Sequence, residues 1–319
     1  MTALSVPRIV VVGSYATGLT MKVERLPTSG ETLLGTGYRV DYGGKGSNQA
    51  VGCARLGAHV IFVAKIGKDA FGEMALRLYR DEGIDVEWVG LAAGEPTGVG
   101  FILVESATGK NCIALDPGAN ELLTGEEVAR CDAAFDSAAV VLTQLEISAE
   151  AAGEAMARGR AHGAVTVLNP APVRPLPAET LRTVDILTPN EVEAKLLAGL
   201  PPESDVEAAE VARELIRRGV KQVVMTRGEQ GALIVSSNSA HHIPAIPVRA
   251  VDTTGAGDAF NAGLATALAK GAGLSEAVQF AVIAGGLAVT KEGVIPSLPR
   301  LDEVVAYAGK LGLTLPTFN

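Results

Sequence analysis

Residues 138–168, AAVVLTQLEISAEAAGEAMARGRAHGAVTVL, decide how the rest of the chain is read. Val140 to Leu142 is a short apolar run, and Ala149 to His162 carries helical spacing. Val165 to Leu168 is apolar again apart from Thr166. Neither run alternates with polar residues, so each predicts a strand covered on both faces. Two parallel strands also need a helical crossover between them. Outward from this unit the pattern repeats. Upstream lie Ile9 to Val12 (stopping at Gly13), a helical stretch from about Gly46 to Gly57, Val60 to Ala64, and a helix around Phe71 to Asp81. Downstream come Asp185 to Leu187, Val192 to Leu197, Val206 to Arg217, Gln222 to Met225 and Ala232 to Val235. A strand-like Ile246 to Val251 follows, then helices beginning near Ala256, Ser275 and Leu301. The implied class is α/β: a doubly wound, mostly parallel central sheet with helices on both faces.

Residues 19–42 and 96–116 depart from this pattern. Thr20, Lys22 and Glu24, then Val99, Phe101 and Leu103, alternate without helical period. They predict a small antiparallel β lid, formed from about 16–43 and 96–116, over a cleft. No linker, repeat or low-complexity segment interrupts the chain, which reads as one domain over residues 1–319.

Composition narrows the partners. The 319 residues are 48% hydrophobic and 20% charged, which suits a globular protein and not a disordered one. The net charge of −9, without a Lys or Arg run, and only 4% aromatic residues argue against nucleic acid and anionic membranes. Cys53, Cys112 and Cys131 are far apart and odd in number, which points to reduced thiols and the cytoplasm. Met1 to Val12 lacks a signal-peptide layout, and Phe280 to Val289 covers only half of a membrane span. His241 and His242 diverge as neighbours, with no third ligand at zinc spacing.

Four motifs carry chemistry. In Val251-Asp252-Thr253-Thr254-Gly255-Ala256-Gly257-Asp258-Ala259-Phe260, three small residues open a helix and leave bare amides at its positive end. An anion fits there, and Asp258 beside it suits a base acting on a hydroxyl; a tight turn with a capping Asp is the plainer alternative. Gly43-Gly44-Lys45-Gly46-Ser47-Asn48-Gln49 opens another helix with a charge and an amide, yet matches neither G-x-x-x-x-G-K-[ST] nor G-x-G-x-x-G. Thr188-Pro189-Asn190-Glu191-Val192-Glu193 sets Asn190 and Glu193 on one helix face. That pair suits phosphate and water-clothed Mg²⁺, and equally a capping box. Thr226 to Gly231 joins two strands, and Asn169-Pro170-Ala171-Pro172 leaves one rigidly. All lie where strands end or helices begin, at the carboxyl edge of the sheet.

GGKGSNQAV (43–51), NPAP (169–172), TPNEVE (188–193) and VDTTGAGDAF (251–260), in this order, make the chain resemble the ribokinase-like carbohydrate kinase family over about residues 8 to 310. The resemblance implies transfer of the ATP γ-phosphoryl group to a sugar hydroxyl, on ribose at O5, with Mg²⁺ and K⁺. It implies Asp258 as base and the amides of Gly255, Ala256 and Gly257 as anion hole. It implies sugar contacts at Gly44, Lys45, Asn48, Glu146 and Asp258, and nucleotide contacts at Asn190, Thr226, Gly228 and Gly231. Glu193 would reach Mg²⁺ through water. Asp252, Thr254, Ala288, Gly293 and Ser297 would hold the monovalent cation. A homodimer through the lid is also implied. The chain departs from the pattern at Ala16 and Gly18, where relatives carry Asn and Asp on ribose hydroxyls, and at Val282, where a polar residue near adenine is common. Other acceptors (a deoxypentose, a fructose-type sugar, a nucleoside) and a non-catalytic sugar or nucleotide sensor are the alternatives.

Overall fold

The computed structural model describes residues 6–313; residues 1–5, part of the N-terminal stretch read above, and 314–319 lie outside the described residues. The chain begins with β1 (Arg8–Val12), β2 (Ala16–Val23) and β3 (Thr36–Gly43), then α1 (Lys45–Arg55), β4 (His59–Gly67) and α2 (Ala70–Asp81). β5 (Val89–Ala92), β6 (Gly98–Glu105), β7 (Asn111–Asp116) and α3 (Gly125–Arg130) follow. Next come β8 (Val140–Thr143), α4 (Ala149–Ala161), β9 (Val165–Leu168), α5 (Ala178–Arg182), β10 (Ile186–Leu187), α6 (Glu191–Ala198) and α7 (Ala208–Arg217). The last elements are β11 (Gln222–Thr226), β12 (Ala232–Val235), β13 (Ala240–Ile243), α8 (Ala256–Ala269), α9 (Leu274–Ala288) and α10 (Leu301–Lys310).

Nine strands form the large sheet in the order β13-β12-β11-β10-β9-β8-β1-β4-β5. Pairing is parallel from β5 through β11, and β12 and β13 close one edge antiparallel. The continuous apolar runs have the expected cause. Ile9 and Val11 of β1 enter the core on one face with α1, α8 and α9, while Val10 and Val12 enter the core on the other face with α4 and α7. All four are fully buried. Each buried aliphatic side chain of this kind contributes about 1.5–3 kcal/mol relative to exposure.

The second sheet, ordered β3-β2-β6-β7, is the expected lid. Its outer pairs are antiparallel, but β2 and β6 run parallel from Ala16↔Gly98 to Val23↔Glu105, so it is a mixed sheet. A parallel pair arises because β2 and β6 both leave the large sheet in the same direction after separate crossings. Ile246–Val251 is not a strand. It runs unpaired past α9, tied by Val251 N–H to the Val289 carbonyl at 2.7 Å, because β13 already ends the sheet. Among the described residues no helix is long and apolar enough to cross a membrane.

Candidate active site

Two helices start facing each other. α8 begins after Gly255, whose φ of 82° is left-handed, and a Cβ there would come within 2.6 Å of Val294 Cγ1. Glycine is needed on both counts. Among the described residues the amides of Gly255 and Gly257 meet no backbone carbonyl, and Ala256 N–H reaches Thr253 only at 3.3 Å. These are the donors that an N-terminus leaves over, at the positive end of its dipole. Asp258 follows in the first turn, buried at 5% exposure.

α1 begins after Gly44, whose φ of 86° and close approach to Tyr15 Cα and Ala16 N, 2.7 Å from a hypothetical Cβ, allow no side chain. The turn projects Asn48 and Gln49 toward α8. Asn48 Nδ2 donates to Asp258 Oδ2 at 2.8 Å, and Gln49 Nε2 donates to Asp258 Oδ1 at 2.9 Å. Burial pushes the Asp258 carboxyl above its ordinary range, against the opposing pull of Lys45 and the two amides. Asp258 in turn raises the Lys45 ammonium. Glu146, just past β8, accepts from Ser14 Oγ at 2.6 Å and from Lys45 N–H at 2.8 Å. Gly44, Lys45, Asn48, Glu146 and Asp258 therefore come together. Asn48 Oδ1 is buried without a hydrogen-bond partner.

Along the same edge, Asn190 and Glu193 form the capping box of α6: Glu193 N–H donates to Asn190 Oδ1 and Asn190 N–H to Glu193 Oε2, both at 2.8 Å. The plainer reading of that motif is thus realised, and it leaves Glu193 Oε1 open. Desolvation raises the Glu193 carboxyl, which senses both Lys45 and Asp258. Asn190 bridges Thr226, whose N–H donates to Pro189. Gly228 and Gly231 shape the β11–β12 turn, both at positive φ. On the far side of α8, Asp252 accepts from Thr254 N–H at 2.9 Å and from Gly293 N–H at 3.0 Å. Ala288 closes α9, and Ser297, fully buried, donates to Val294 O at 2.8 Å. Val282 packs in the apolar core of α9.

Small residues recur where the lid strands leave the large sheet. Ala16 pairs with Gly43 and Gly98, and Gly18 with Asp41 and Gly100. Sequence reasoning missed a buried chain of amides behind the site. Gln49, Gln144, Asn169, Thr188 and Asn261 link α1, the exits of β8, β9 and β10, and α8. The available signal was the polar residue after each buried strand, Gln144, Asn169 and Thr188, in chain otherwise destined for the core.

Comparison with known proteins places this geometry. Residues 6–301 match the family model described as pfkB family carbohydrate kinase. A ribokinase from Haemophilus influenzae is 36% identical over 94% of this chain and 97% of its own length. A deoxyribokinase from Salmonella typhi is 33% identical over 94% of this chain and 98% of its own. The structure of Arabidopsis thaliana ribokinase complexed with ribose and ATP superposes with a TM-score of 0.87 at 32% identity, covering 94% of this chain and 98% of that one. The chain belongs to the pfkB family of carbohydrate kinases and is a phosphotransferase whose acceptor is a sugar hydroxyl.

Proposed function

We propose that this kinase phosphorylates ribose at O5, with ATP as donor. One observation carries the proposal: a buried carboxylate, Asp258, is held between two amides beside the unused N–H groups of α8. The similarity to ribokinases, one of them complexed with ribose and ATP, supports both substrates.

Phosphoryl transfer asks mainly for positioning and charge stabilisation. Gly44, Lys45, Asn48 and Glu146 hold the sugar; a sugar hydroxyl donating to Asn48 Oδ1 would satisfy that orphan acceptor. Asp258 removes the proton from the attacking hydroxyl as its oxygen approaches the γ-phosphorus. Negative charge on the transferred group meets the amides of Gly255, Ala256 and Gly257, already oriented by the helix start. Asn190, Thr226, Gly228 and Gly231 line the nucleotide end. The free Glu193 Oε1 fits a water on Mg²⁺, which, when bound to the phosphates, would draw off their charge. Asp252, Thr254, Ala288, Gly293 and Ser297 offer oxygen donors alone, which suits K⁺.

The whole chain, 1–319, works as one domain with the small sheet as its lid, in the cytoplasm, as a homodimer through that lid. Deoxyribose is the second acceptor, favoured by the absence of polar side chains at Ala16 and Gly18. The test is ATP consumption over pentoses, deoxypentoses, hexoses and nucleosides with K⁺ present. Ribose should rank first by kcat/KM, and a deoxypentose ranking well above it would transfer the assignment.

A further inference from the structure

We infer that Gln49 is the positioning residue of the base: its side-chain amide orients Asp258 and keeps it ionised. The inference rests on the reading of Asp258 as base given above, but its evidence is separate.

Gln49 is fully buried and all of its amide is used by the protein. One Nε2 hydrogen goes to Asp258 Oδ1 at 2.9 Å and the other to Asn169 Oδ1 at 3.2 Å, while Oε1 accepts from Gln144 Nε2 at 2.6 Å. The orientation is forced. Turned over, the amide would press its oxygen against the carboxylate and the Asn169 carbonyl, with no proton between them. Asn169 cannot turn to relieve this, because its Nδ2 donates to the Thr188 carbonyl at 3.1 Å. The chain of bonds then returns to α8: Thr188 Oγ1 donates to Asn261 Oδ1 at 2.6 Å, and Asn261 Nδ2 to the Gly257 carbonyl at 2.8 Å. Gly257 directly precedes Asp258. The same network thus fixes the carboxylate at its oxygen and the helix turn that carries it.

Asn48 and Gln49 divide the work. Asn48 holds the other carboxylate oxygen but keeps a buried acceptor without a partner, so it is poised to answer to substrate. Gln49 keeps nothing spare. An N–H donor favours the ionised form of the acid it serves. The other groups acting on Asp258 are Lys45, which favours ionisation, and Glu146 and Glu193, which oppose it. Removing the Gln49 donor leaves burial and two carboxylates opposed by Lys45 and the single Asn48 donor.

The experiment compares Gln49→Met, of similar length without the donor, and Gln49→Glu, of the same shape with an acid, against wild type and Asp258→Asn. Two readouts are taken: kcat and sugar KM against pH, and the ¹³C carboxyl titration of Asp258, identified by its loss in Asp258→Asn. In Gln49→Met the acid limb and the titration should both move up by about one pH unit. Below the wild-type acid limb kcat should fall about tenfold, with sugar KM changed less than about twofold. Gln49→Glu should move both further, since like charges resist ionisation together, and it decides the matter if Gln49→Met does not fold. An unmoved acid limb and titration in the folded variants, whatever kcat does, would overturn the inference and leave Gln49 a packing residue. Near-wild-type turnover in Asp258→Asn is a different result: it would overturn the base assignment and this inference with it.

Discussion

Asn48 Nδ2 lies 2.8 Å from Asp258 Oδ2 although 210 positions separate the two in sequence. The bond joins the first turns of two helices, and each helix start needs a left-handed glycine to be there at all. Asp258→Asn preserves the shape of this contact and removes the proton acceptor. It should lower kcat by at least ~10²-fold, as expected for loss of a general base, with ATP KM little changed. Steady-state kinetics checks this, and turnover close to wild type would take Asp258 out of the role.

The pH dependence follows from burial. Desolvation is the largest influence on Asp258 and raises its carboxyl, although Lys45, Gln49 and Asn48 pull the other way. The base works only when ionised, so activity is present above its pKa and is lost as pH falls through it. The acid limb of kcat/KM should therefore lie above the roughly 3.9 of an ordinary Asp. A limb at or below that value would mean that the charged partners outweigh burial.

Gly44→Ala combines left-handed strain, about 1–2 kcal/mol, with backbone atoms 2.7 Å from the new Cβ. Relaxing it displaces Lys45 and the α1 start, so sugar KM should rise at least ~10-fold for a shift of that size in positioning groups. Gly94→Ala is the control. It has a φ of 90° but nothing within 4 Å of a Cβ, and should cost stability without moving KM. Equal KM effects in the two variants would show strain alone at work.

Potassium should activate and lithium should not, because Asp252 organises an oxygen-rich loop by accepting from Thr254 and Gly293. Asp252→Ala should abolish the difference between the two salts. Rates compared at fixed ionic strength decide it, and equal wild-type rates in both would count against a cation at this loop.

Val40, Leu19 and Phe101 lie side by side across three lid strands, while Ile102 and Ile113 pair on the opposite face. Val40 and Phe101, which share a face, are 40% and 55% exposed in the single chain. An exposed apolar sheet of this kind calls for a partner. Phe101→Asp combined with Val40→Asp, on the same face, should convert a dimer to a monomer by sedimentation. A wild-type chain that is monomeric at micromolar concentration would remove the lid from that role.

Much of the large sheet was legible because both of its faces are buried. Runs such as Ile9–Val12 and Val140–Leu142 then carry no polar residue to confuse them. The glycines at 44 and 255 were legible as helix starts, since few other residues tolerate those angles. Ile246–Val251 misled because apolar composition cannot say whether a partner strand is free, and β13 had already taken the sheet edge. The parallel register of β2 with β6 depends on contacts between segments some eighty positions apart, as Ala16↔Gly98 illustrates, and local alternation is blind to it. The amide network was hidden for a related reason. Gln49, Gln144, Asn169 and Asn261 are unremarkable singly, and their meaning lies in which oxygen each one faces.

β3 ends at Gly43 and α1 begins at Lys45, so one glycine is all that separates the canopy from the turn that opens α1. No slack exists there to absorb movement. A tilt of the canopy would swing the Lys45 amide, which is tethered to Glu146. The angle of the roof and the position of the first turn of α1 are therefore joined through a single residue.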